Sequence, residues 1–186
     1  TNTVDWLVVQ NATNVLIEIG NEVDLENVWA HPIIAAPRCH ELIELAQKRG
    51  NGKLLVSTSL IGIDAPPAAT VAAADFLLPH GNRVHGPDSP FQPSPHGIRL
   101  QLARWRASPA YRGQPVVYNE DDHFEFDKPD NHFVAAVEGG ASWGFFDYRM
   151  SRERFEDGFQ SLPVDWTISS KRKRAFFGLL KEITGS

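Results

Sequence analysis

What most constrains the fold is a recurrence of short apolar runs that stop abruptly at polar residues, with stretches of helical pattern between them. The first run, Val15-Leu16-Ile17-Glu18-Ile19, ends in Gly20-Asn21-Glu22. Lys53 to Ser57 is the second, and Asp75-Phe76-Leu77-Leu78 the third, ending at Pro79-His80-Gly81-Asn82. Pro115-Val116-Val117-Tyr118 stops at Asn119-Glu120-Asp121-Asp122, and Ala141 to Phe145 is the last. Helices are predicted from about Ile33 to Arg49, closed by Gly50 as a C-cap, and around Ala68 to Ala74. Further helices are predicted from Gly97 to Ser108, with Ile98, Leu102 and Trp105 on one face, and near Asn131 to Glu138. The last runs from about Ser169 to Ile183, with Ser169 or Ser170 as N-cap. Val84 to Pro95 holds five prolines and glycines and reads as a long loop.

Strands that alternate with helices imply an α/β fold with a parallel sheet. Near-continuous apolar strands fit a sheet covered on both faces, or the wall of a barrel. At 186 residues the chain suits one domain with a sizeable core. Its net charge of −5 argues against a broad surface for nucleic acid or anionic membrane. No apolar run approaches the roughly 20 residues that a membrane-spanning helix needs. The single cysteine, Cys39, has no intrachain partner for a disulfide, so cysteine usage leaves the compartment open. The chain opens at Thr1 without an initiator methionine, and the strand count favours a fragment.

In open parallel sheets and in barrels alike, active sites collect beyond the C-terminal ends of the strands. That rule selects Asn21-Glu22, His80-Gly81-Asn82, Asn119-Glu120 and Trp143. Cleaving a glycosidic bond needs a proton donor for the leaving oxygen and a second carboxylate at the anomeric carbon. Glu22 and Glu120 supply such a pair if one sheet edge holds both. The neighbouring Asn21 can hydrogen-bond a sugar 2-OH, Asn119 repeats the pattern, and Trp143 offers a flat surface for a sugar ring.

These residues resemble the clan A retaining glycoside hydrolases. Val15 to Glu22 is similar to the fourth barrel strand of that clan, where an Asn-Glu pair carries the acid/base. Pro115 to Glu120 resembles the seventh strand with its nucleophilic Glu, and Ala141-Ser142-Trp143-Gly144 the eighth with its substrate-facing Trp. The resemblance spans roughly Asn14 to Ile183 and implies the C-terminal part of a (β/α)8 TIM barrel, strands four to eight. It implies Glu22 as acid/base, Glu120 as nucleophile, Asn21 on the 2-OH, and substrate contacts from His80 and Asn82. The implied substrate is an oligo- or polysaccharide, without cofactor or metal, and the implied compartment is secreted or periplasmic. Five strands do not close an eight-stranded barrel. A missing N-terminal half, or self-association, is therefore the expected partner.

Simpler readings stand beside these. Glu18 is expected to face a helix or a buried Arg, outside the site. Asp121, Asp122, Glu125, Asp127 and Asp130 form an acidic loop without EF-hand spacing, read as a solvated loop rather than a calcium site. His123 within it is either a substrate contact or simply exposed. Cys39 and His40 are helix neighbours pointing in different directions, so they and His31 are not expected to bind metal. Lys171 to Arg174 reads as a solvated basic face, and Asn11-Ala12-Thr13 as a sequon too common to weigh. The competing function is a non-catalytic carbohydrate-binding or interaction module on a truncated barrel. An open doubly wound domain with an unrelated ligand is disfavoured, because no Gly-rich phosphate loop follows any strand.

Overall fold

The computed structural model describes residues 2–25, 28–87, 89–122, 125–146 and 171–185. In chain order the elements are α1 (Asn2–Val9), β1 (Leu16–Glu18), α2 (Cys39–Gly50), β2 (Leu55–Ser57), β3 (Ser59–Leu60), α3 (Ala68–Ala73) and β4 (Leu78–Pro79). They continue with β5 (His85–Gly86), β6 (Ser89–Pro93), α4 (Pro95–Arg106), β7 (Val117–Tyr118), α5 (His132–Glu138), β8 (Ser142–Trp143) and α6 (Lys171–Thr184). The protein is thus mixed α/β, with short parallel strand pairs.

Pairing follows chain order. Leu16, Ile17 and Glu18 of β1 lie beside Leu55, Val56 and Ser57 of β2 in parallel. Only Thr58 separates β2 from β3, which pairs in parallel with β4. Leu77 bridges to Val116, and β7 runs parallel to β8. Among the described residues these strands do not close into a barrel. No described helix is long and apolar enough to cross a membrane.

Helical periodicity builds the covered face of this sheet. On α2, Cys39, Ile43, Ala46 and Gly50 recur at three- and four-residue spacing and are buried. The stripe on α4 is Ile98, Leu102 and Trp105, the three residues expected to share a face, with Gln101 buried among them. Burying each large side chain contributes roughly 1.5–3 kcal/mol relative to leaving it exposed. Ser94 caps α4 by accepting the Gly97 N–H at 3.2 Å, and Asn131 caps α5 by accepting that of Val134 at 3.0 Å. Gly97 has a separate role. A Cβ there would collide with the Val84 carbonyl oxygen, so only glycine lets α4 sit directly on that backbone.

Several sequence expectations need correction. The helix predicted from Ile33 begins at Cys39, because Pro32 and Pro37 hold the preceding residues in turns. Its cap is Asn51, in left-handed backbone at φ 50°, and Gly50 is the last helical residue. The long loop from Val84 contains an antiparallel hairpin of β5 and β6. Pro90 and Pro93 lie in β6 of this two-stranded hairpin, where a missing N–H is tolerated at the edge. Helix α1 was not expected at all. The β3 and β4 residues are buried on both faces, but the β1–β2 pair is not covered on both. Leu16 and Leu55, register partners on one face, are 55% and 51% exposed, while Val56 on the opposite face is fully buried. Glu18, expected to face a helix or a buried Arg, lies on the open face and is exposed. The N-cap positions Ser169 and Ser170 lie outside the described residues, as does His123.

Candidate functional site

The backbone beyond β1 keeps bonding along the next strand and carries Glu22 to the rim. The Ile19 N–H donates to the Ser57 carbonyl at 2.9 Å, and the Thr58 hydroxyl donates to the Gly20 carbonyl at 2.7 Å. The Glu22 N–H then donates to Ser59 Oγ at 2.8 Å, and that of Val23 to the Ser59 carbonyl at 3.1 Å. Glu22 itself is held at φ 50°, the left-handed region that a residue with a Cβ enters at a cost of about 1–3 kcal/mol. Asp24 fixes the following loop by accepting the N–H groups of Ile61 (3.0 Å) and Gly62 (2.8 Å).

The other strand ends converge on the same edge. The His80 N–H donates to the Leu60 carbonyl at 2.9 Å, and the Gly81 N–H donates to the Glu120 carbonyl at 2.9 Å. His80 is fully buried, whereas the side chains of Glu22 and Glu120 remain 12% and 24% exposed. His80 Nδ1 lies 3.0 Å from Glu22 Oε1 and 3.8 Å from Glu120 Oε2. Asn82 Nδ2 donates to the other Glu120 oxygen, Oε1, at 2.9 Å. An oxygen of each glutamate and a ring nitrogen of His80 all lie within 4.8 Å of one another. The other His80 nitrogen, Nε2, is buried without a hydrogen-bond partner among the described residues. A bare lone pair is tolerated there better than an unmatched N–H, so the neutral ring is assigned its proton on Nδ1, facing Glu22.

Five of the seven predicted site residues thus meet at one edge: Glu22, His80, Asn82 and Glu120 directly, and Asn21 through Ser59. Asn21 Oδ1 is 3.5 Å from Ser59 Oγ. Asn119 is exposed beside Glu120. His80, expected to contact substrate, is instead fully buried and meets the edge through Glu22. Trp143 is the other departure. Expected as a stacking surface, it is 9% exposed, with its ring against Phe126, Phe133 and Phe176. Its indole Nε1–H donates to Asp121 Oδ2 at 3.1 Å. It packs as part of an aromatic core.

Asp121 corrects the acidic-loop reading. It is fully buried and also bonds His132 Nδ1 at 2.8 Å, while Glu125, Asp127 and Asp130 are exposed. A Cβ on Gly81 would collide with the Asp121 carboxylate, which fits against that glycine. Of the donors weighed for metal binding, His31 is exposed and Cys39 Sγ sits 3.5 Å from Thr70 Oγ1. Sequence reasoning passed over Ser59, Gln101 and His132 as site supports. Gln101 shows why: its Nε2 donates to the Gly62 carbonyl at 2.9 Å and its Oε1 accepts from Tyr118, links between segments far apart in sequence.

Burial, helped by the nearby Asp121 charge, holds the Tyr118 phenol far above its ordinary range. The folded value lies above the unfolded one, so this contribution is intact below about pH 10 and is lost as pH rises beyond it. Tyr118→Phe strands Gln101 Oε1, which accepts the phenol at 2.8 Å in the wild type. We expect this variant to be less stable at neutral pH by about 1–3 kcal/mol, with a flatter stability profile above about pH 10. Urea midpoints of both proteins from pH 7 to 11 measure this; parallel alkaline limbs would refute it.

No family model matches the chain, and no curated protein or solved structure is significantly similar to it.

Proposed function

We propose that this chain is the C-terminal part of a clan A-type retaining glycoside hydrolase, contributing barrel strands four to eight and acting on an oligo- or polysaccharide. The observation that carries the reading is the meeting of Glu22 and Glu120, far apart in sequence, with oxygens inside 4.8 Å. Retaining enzymes hold their carboxyl groups about 5–5.5 Å apart, and inverting ones about 6.5–9.5 Å to admit a water. Parallel pairing in chain order supports the barrel assignment.

In the first step a Glu120 oxygen attacks the anomeric carbon while the bond to the leaving oxygen breaks. Glu22, protonated, gives its proton to that oxygen. Glu22, now a carboxylate, takes a proton from water as the water oxygen attacks the same carbon and frees Glu120. Asn82 fixes which Glu120 oxygen stays free to attack, and His80 orients Glu22. The open face of β1 and β2, with Leu16 and Leu55 half exposed, supports a partner that completes the barrel. That partner is the N-terminal barrel portion with strands one to three; self-association would cover the face without rebuilding an eight-stranded barrel.

The test is covalent capture. A panel of 2-deoxy-2-fluoroglycosyl fluorides is offered to the chain alone and after mixing with candidate N-terminal strand segments, with peptide masses read afterwards. Labelling at Glu120, lost in Glu120→Gln, is expected. Calorimetric binding of oligosaccharides without capture would favour the non-catalytic module. Neither capture nor binding in any combination would overturn the proposal.

A further inference from the structure

We propose that Glu22, His80 and Glu120 form a binding site for one divalent transition-metal ion of the Zn²⁺ class, and that ion and sugar exclude each other. The inference deepens the reading of this edge as a catalytic site by giving it a regulator, but the donor geometry holds whatever reaction the edge performs.

Three donors come from three strand ends, and the central one is rigid. His80 is fully buried and its backbone is pinned to Leu60, so Nδ1 cannot swing away without disturbing the core. Its separations from the two carboxylate oxygens are 3.0 and 3.8 Å. A four-coordinate zinc with bonds of about 2.0–2.2 Å places neighbouring donors about 3.3–3.5 Å apart. The carboxylate ends need to shift by on the order of 1 Å to close around it.

Charge and support agree. Two carboxylates neutralise a dication, and among the described residues His80 is the only ion-pair partner of either one. Asn82 occupies Glu120 Oε1 and leaves Oε2 toward His80, the outer support that orients a ligating carboxylate. Both glutamates stay partly exposed, so an ion bound there keeps an open position, the pattern of three protein ligands plus water. One feature limits affinity. Metal on Nδ1 moves the ring proton to Nε2, which has no partner among the described residues. Losing such an outer hydrogen bond typically weakens binding about 10–100-fold, which sets the expected Kd on the order of micromolar rather than nanomolar. Once bound, the ion occupies the lone pairs that Glu22 and Glu120 need for proton transfer and attack.

The experiment titrates Zn²⁺ into the chain against a chromogenic chelator, in a non-phosphate buffer and without sugar. One saturable site is expected in the wild type, weakened at least tenfold in both Glu22→Gln and Glu120→Gln, and lost in His80→Ala. The Gln variants preserve volume, so the result does not depend on His80→Ala folding. Co²⁺ in place of Zn²⁺ should give the intense visible bands of four- or five-coordination, diminished in the same variants. Absence of a saturable site, or binding unchanged in both Gln variants, would overturn the proposal. No sugar is present, so a failure here is separate from a failure of the hydrolase reading.

Discussion

On the proposed hydrolase reading, Glu22→Gln in the chain joined to its N-terminal barrel portion is expected to slow hydrolysis of substrates with poor leaving groups by roughly 10²–10⁴-fold, the usual worth of a positioned general acid. The loss should shrink for activated aryl leaving groups, which depart without protonation. Glu120→Gln should behave differently, losing turnover for both classes because no covalent intermediate forms. The structure gives the two residues matching but separable positions. Glu22 is more enclosed and bonds His80, whereas Glu120 is more open and bonds Asn82. Amide replacements keep the shape of both sites, so a rate loss reports chemistry rather than collapse. Full activity in either variant would sink the assignment of the pair.

The second large effect concerns stability. Asp121→Ala should destabilise the fold by about 2–6 kcal/mol, because two buried donors each lose their acceptor at about 1–3 kcal/mol. Asp121 accepts from His132 at the start of α5 and from Trp143 in β8, joining the end of β7 to both. Alanine leaves both donors inside an apolar cluster and opens space beside Gly81. Asparagine keeps the volume and one acceptor, and its cost should be smaller, about 1–3 kcal/mol. Urea unfolding separates the cases. A loss under about 0.5 kcal/mol for Asp121→Ala would mean that the buried pair holds nothing together.

Much of the fold was legible because it is written in local pattern. The runs at Val15, Lys53, Asp75 and Pro115 contain or adjoin observed parallel pairings, and Ile98, Leu102 and Trp105 are buried as their spacing predicts. Glu22 and Glu120 could be found because strand ends are a positional rule, and the structure brings them to one edge. Misreadings arose where local pattern and tertiary setting part. Helix α1 is short and buries only Val4 and Leu7, too little for a periodic signal. The β5–β6 hairpin was obscured by prolines. Asp121 looked like one acidic residue among several, and only its distant partners His132 and Trp143 distinguish it. Trp143 misled in the opposite direction, since its place at a strand end says nothing of the phenylalanines that enclose it.

The left-handed backbone at Glu22 sets stability and chemistry against each other within a single residue. Glycine would enter that conformation freely and relieve the strain, yet it would erase the carboxylate. In a screen for thermal endurance alone, relief of strain favours glycine, while the buried His80 Nδ1–H that would lose its acceptor favours glutamate. Which residue survives such a screen measures the worth of that bond against the strain. Adding a requirement for oligosaccharide hydrolysis to the same screen, and sequencing both sets of survivors, would separate the demand of function from that balance.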